Sequence, residues 1–214
     1  MQKYISEFIG TFILLVSIVG SGIAGQQYTN DQMVILVSHA VVIGLTLIFI
    51  IGIFANFSGA HFNPIVSILF FLQKELSIKD LCLFISIQIT AATLGVFFAN
   101  YIFGLSIVEI SSNIRSGTNI YISEIFASFG LLMVILLSKV GGKNIVAFNV
   151  GIYITAAIIF TSSASFANPA VSIARIFTES FAGINPSTVI FFIGSQVIGM
   201  FGAYFLYNRL FKTK

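Results

Sequence analysis

The sequence predicts an all-α membrane protein of six spanning helices and two half-helices, built as an inverted repeat. Three observations carry that prediction. The 214 residues are 57% hydrophobic and only 8% charged, whereas a soluble domain carries about a quarter charged residues. Six apolar runs are long enough to cross a bilayer. The segment Asn63-Pro64-Ile65-Val66-Ser67-Ile68 returns almost unchanged as Asn168-Pro169-Ala170-Val171-Ser172-Ile173.

The six runs cover roughly Tyr4–Ala24, Met33–Ala55, Leu81–Gly104, Tyr121–Val140, Asn144–Ser162 and Ser187–Leu210; about 20 apolar residues are needed to span. The first is read as a retained helix, since no convincing cleavage site follows it. Two shorter apolar segments, about Asn63–Leu72 and Asn168–Phe177, each open on Asn-Pro. Asn is a helix N-cap and Pro suits the first helical position. At 1.5 Å per residue such a segment covers about half of a ~30 Å core, so each is expected to enter and leave on one side.

The order Glu, Asn-Pro, Gln occurs twice: Glu7, Asn63-Pro64 and Gln88, then Glu124, Asn168-Pro169 and Gln196. Each half holds three full spans, an odd number, so the second copy is inserted upside down. The repeats run approximately 1–110 and 118–214 within a single transmembrane domain of residues 1–214. Such a repeat puts a site at the midplane. With a cytoplasmic N-terminus, eight of the ten basic residues lie inside: Lys3, Lys74, Lys79, Lys139, Lys143, Arg209, Lys212 and Lys214. The positive-inside rule therefore places both termini in the cytoplasm.

Two helix starts at membrane depth leave unpaired N–H groups at the positive ends of helix dipoles, which a bilayer tolerates only around a cavity. On these motifs the chain resembles the aquaporins, the major intrinsic protein family. The resemblance rests on Glu7 with Gly10 and Thr11, Gly59-Ala60-His61-Phe62-Asn63-Pro64-Ile65-Val66, Glu124, Gln88, Gln196 and Asn168-Pro169-Ala170. It implies a right-handed bundle with the half-helices meeting at its centre, and one pore per subunit in a homotetramer. It also assigns Asn63 and Asn168 as side-chain donors to the permeating molecule. Donors and positive potential at the midpoint break a proton wire and repel cations.

The second motif departs from the family pattern. Val171 stands where aquaporins usually carry a constriction Arg. By offset from the two asparagines, the other constriction positions resemble Ile43, Ala156 and Ser165. Such a ring is expected to be wide and weakly polar, favouring glycerol or undissociated metalloid acids such as arsenous acid. The stretch Asn168–Arg175 also resembles aquaporins associated with bacterial arsenic resistance. His39 precedes Ile43 by four and Arg175 follows Val171 by four, so both are expected one turn outward as a displaced polar ring. Alternatively, Arg175 snorkels or pairs with Glu179, and His39 bonds a loop carbonyl.

Glu7 and Glu124 are expected to brace the non-helical segments that lead into the half-helices, with His61 as a loop brace or pore element; an intramembrane carboxyl otherwise suggests a proton relay. The competing functions are a water-selective aquaporin and a secondary transporter. No cofactor, metal site or enzymatic acid–base pair is expected, and no basic stripe suits nucleic acid. The partners expected are water, small neutral solutes, the bilayer and further copies of the chain. The richness in Ile, Phe, Asn and Lys suggests an AT-rich genome, hence a bacterial inner membrane.

Overall fold

The computed structural model describes residues 1–211; Lys212 and Lys214, counted above among the inner basic residues, lie outside the described residues. Eight α-helices follow in order: α1 (Gln2–Tyr28), α2 (Gln32–Phe54), α3 (Pro64–Leu72), α4 (Ile78–Ile102), α5 (Thr118–Ser138), α6 (Lys143–Phe160), α7 (Pro169–Ala174) and α8 (Pro186–Leu210). Six of them are long and apolar enough to cross a membrane. Helices α3 and α7 are the half-helices, and α7 tightens into a 3₁₀ turn over Arg175–Phe177.

Helix starts follow the capping rules. Asp31, Ser77 and Asn185 each accept backbone N–H bonds from the first turn of α2, α4 and α8, satisfying donors that have no partner within the helix. Exposed Ile, Phe, Leu and Val side chains cover the bundle's flanks, the surface expected of helices that face lipid rather than water.

Packing follows the repeat. Helix α1 lies against α2 and α4, as α5 lies against α6 and α8; α3 touches α4 and α8, and α7 touches α8 and α4. The halves join where α2 crosses α6. There a Cβ on Gly44 would come within 2.7 Å of the Gly151 carbonyl, and one on Gly151 within 2.5 Å of the Gly44 carbonyl. Only glycine on both helices allows this approach.

At one end of the bundle Lys3 pairs with Asp80 at 2.8 Å and Lys139 with Glu75 at 2.6 Å. We refer to this as the basic end. Arg115, Arg175 and Glu179 sit at the other.

Candidate functional site

The two asparagines meet through each other's loops. Asn63 Nδ2 donates to the Ala167 carbonyl at 2.8 Å, and Asn168 Nδ2 donates to the Phe62 carbonyl at 2.9 Å. Their Oδ1 atoms are occupied as well: Asn63 caps Ile65, and Asn168 caps Ala170 and Val171. Each amide therefore has its oxygen and one N–H committed, leaving one N–H uncommitted. Pro64 and Pro169 fill the first helical positions, where a missing N–H costs nothing; Ile65 and Ala170 follow, both buried.

A duplicated cradle holds these loops. Glu7 accepts from the Ser58 hydroxyl, from the backbone N–H groups of His61 and Phe62, and from Gln88. Glu124 accepts from the Ala167 N–H and from Gln196. Gln88 also reaches Ser67, and Gln196 reaches Ser172. The loops need such anchors, because non-Gly residues adopt positive φ in both: Ala60 (53°) and Phe62 (49°), Ser165 (45°) and Ala167 (45°). Each costs of order 1–3 kcal/mol and persists only when its surroundings fix it. Gly10 leaves room for this, since a Cβ there would lie 2.1 Å from the Phe62 ring. His61 is placed as a loop residue that also faces the cavity. Its Nδ1 lies 3.1 Å from the Ser67 hydroxyl, and its ring packs 4.6 Å from that of Phe70.

A cavity of about 490 Å³ runs past both asparagines, from His39 and Arg175 at one end to Asn56 and Glu75 at the basic end. Its walls repeat by fours, the spacing of one helix face: Ile43, Leu47 and Ile51 on α2, and Val150, Ile154 and Ile158 on α6. Ile43, Ser165 and Val171 line it, as does Val66, which stands three residues after Asn63 as Val171 does after Asn168. Ser165 carries a hydroxyl without a protein partner.

Ala156 requires a correction. It is exposed on the outer side of α6 and lies off the cavity wall, where Ile154 and Ile158 stand instead. The counted offset assumes the family's loop length between this helix and Asn168. Here α6 ends at Phe160, and two residues of miscount turn a helix by about 200°, onto its opposite face.

Arg175 and His39 both reach the cavity. Arg175 is 4% exposed, its Nε donating to the Ala182 carbonyl and its guanidinium carbon 3.6 Å from the centre of the Phe166 ring. It has no bond to Glu179, whose carboxyl takes the hydroxyl and amide of Ser112. Those two donors hold Glu179 below the usual carboxylate range. His39 Nδ1 lies 2.8 Å from the Ser21 hydroxyl rather than on a loop carbonyl. Ser21 itself donates to the Ser17 carbonyl at 2.6 Å, so it accepts from the imidazole.

Several contributors were not singled out from sequence. Ile158 needed the end of α6, and Phe166 with Arg115 needed the packing of distant loops. Ser67 and Ser172 could have been found, since both stand four residues after their Asn in the duplicated motif.

Comparison with known proteins agrees with this geometry. The profile described as "Major intrinsic protein" matches residues 1–162. Aquaglyceroporin AqpS of Rhizobium meliloti is 37% identical over 92% of this chain and 85% of its own length. Aquaporin NIP1-1 of Arabidopsis thaliana is 30% identical over 63% of this chain, which spans 48% of that protein. The X-ray structure of the aquaglyceroporin from Plasmodium falciparum superposes with a TM-score of 0.77 at 21% identity, covering 98% of this chain and 96% of that one. A profile match across three quarters of the sequence, with a 37% identical relative over nearly its whole length, places the chain in the major intrinsic protein family, whose members are membrane channels rather than enzymes.

Proposed function

We propose that this chain is a passive channel for water and small neutral solutes, with a preference for glycerol or undissociated metalloid acids such as arsenous acid. The observation that carries the reading is one cavity that passes both asparagines and whose wall at Ile43, Ile158, Ser165 and Val171 is uncharged. Each asparagine keeps an N–H for a passing oxygen while its own oxygen is occupied. A permeant must therefore accept at the midpoint, which suits water and hydroxyl compounds and disfavours cations. Without Arg at position 171 the ring is apolar enough to take carbon or metalloid bulk. The Rhizobium relative, named an aquaglyceroporin, supports the same direction.

His39 and Arg175 act as a displaced polar ring beyond that wall and supply the cation barrier that Val171 does not. Glu7, Glu124 and His61 act as supports rather than as a proton relay, since both carboxyl groups are engaged by loop amides and glutamines. The chain forms a single channel domain of two repeats, approximately 1–110 and 118–214. It sits in a bacterial inner membrane with both termini in the cytoplasm, so the basic end faces inward, and it assembles as a homotetramer.

The test is stopped-flow light scattering on proteoliposomes challenged in turn with glycerol, urea and arsenous acid, each against water. Solute permeation well above that of protein-free vesicles is the expected result. Water permeation with no solute permeation would replace this reading by a water-selective pore.

A further inference from the structure

The Arg175 mouth holds two guanidinium groups, and among the described residues neither forms an ion pair. Arg115 Nε and Nη2 donate to the carbonyls of Gly183 and Phe181, and Arg175 Nε to that of Ala182 between them. Both groups lie against one ring, Phe166, at 3.6 Å for Arg175 and 5.4 Å for Arg115. The ion pairs among the described residues are Lys3–Asp80 and Lys139–Glu75, both at the far end. Glu179 is taken by Ser112 and Asp31 by the first turn of α2, while Glu124, bonded to Ala167 and Gln196 through one oxygen, is the one carboxyl whose charge reaches both arginines, and it forms an ion pair with neither. Glu109 is exposed and pairs with neither arginine.

Arg175 is only 4% exposed, lines the cavity, and among the described residues makes one hydrogen bond, through Nε. Its two terminal nitrogens therefore have no acceptor among the described residues. A buried guanidinium beside a second cation and apolar walls is costly without a counter-charge, and its planar fork matches a planar or spherical anion. We infer that this mouth is a binding site for a small monovalent anion, held by the terminal nitrogens of Arg175 with Arg115 adding charge behind Phe166. The inference rests on the conduit reading above to the extent that the cavity must open to solution at the Arg175 mouth. An anion seated there narrows the mouth, so neutral-solute flux depends on the anion in the medium on that side.

The experiment uses the purified full chain in detergent and follows the ³⁵Cl resonance of chloride, with nitrate as competitor. The wild type is expected to broaden the line saturably, and nitrate to reverse it. Arg175→Lys keeps the effect; Arg175→Gln lowers it at least several-fold. His39→Glu, which supplies an internal counter-charge while leaving Arg175 in place, also lowers it and decides the matter if Arg175→Gln does not fold. Broadening equal in the wild type and in the charge-altered variants, or indifferent to nitrate, overturns the inference. Water flux in proteoliposomes from the same preparations separates the two claims. Intact flux without Arg175-dependent broadening removes the anion site alone, whereas broadening without flux removes the conduit.

Discussion

The two halves of the molecule are alike where they hold the asparagines and unlike about two turns further out. In each half a Glu from the first helix, Glu7 or Glu124, grips the loop before the half-helix, and a Gln from the last, Gln88 or Gln196, ties that Glu to a Ser on the half-helix. In each loop a Ser five residues before the Asn accepts from the amide two residues on, Ser58 from Ala60 and Ser163 from Ser165. Seven residues after the Asn the copies diverge into Phe70 and Arg175. The two positions keep one contact: Phe70 packs on His61 at 4.6 Å, and Arg175 on Phe166 at 3.6 Å, each partner two residues before its Asn. The skeleton that builds the midpoint was duplicated and kept, while the chemistry of each mouth changed on top of it.

The largest effect that can test this comparison is removal of a cradle. Glu7→Ala and Glu124→Ala each strand buried loop donors, and each is expected to cost about 3–5 kcal/mol. Thermal unfolding in detergent checks both. Equal skeletons predict costs within about 1 kcal/mol of each other, near the usual spread of such values; a large inequality would break the parallel.

Next comes the wall of α6. Ile158→Trp is expected to lower glycerol permeation about tenfold or more, a barrier change of about 1.4 kcal/mol. Ala156→Trp, on the exposed side, is expected to leave it within a factor of two. The reverse order in stopped-flow traces would return the constriction to the position reached by counting offsets.

A smaller effect separates the mouths. Arg175→Ala is expected to raise cation leak several-fold in dye-loaded proteoliposomes, whereas Phe70→Ala leaves it unchanged. A rise in both would mean that the barrier lies at the midpoint alone. Smallest is the Lys139–Glu75 pair, whose side chains are 36% and 45% exposed. Exposed pairs contribute about 0–1 kcal/mol, so Glu75→Gln is expected to shift the unfolding midpoint by at most a degree or two and to leave permeation within twofold.

Most of the fold was legible because membrane helices announce themselves by length and apolarity, and the half-helices by their Asn-Pro starts. The observed helices overlap all six expected spans, extending α1 at both ends and closing α6 at Phe160 before the expected Ser162. The repeat was legible from Glu, Asn-Pro and Gln recurring in order, since both copies answer the same backbone problem. The constriction was harder to read. Ile43 and Val171, reached by offset, do line the cavity. Ala156 does not, because a helix face changes within two residues and no local signal marks where α6 stops. The carbonyls of Phe181 and Gly183 that grip Arg115 come from far along the chain, and no spacing rule forecasts them or the Ala182 carbonyl that holds Arg175.

The central claim is an open conduit with a donor-only midpoint, and one recording tests it most directly. Proteoliposomes carrying a pH-sensitive dye are mixed with glycerol while light scattering and internal pH are followed together. The account predicts rapid reswelling, far faster than in protein-free vesicles, with proton leak no greater than theirs. Reswelling no faster than the lipid alone, or a proton current accompanying the glycerol, would contradict it.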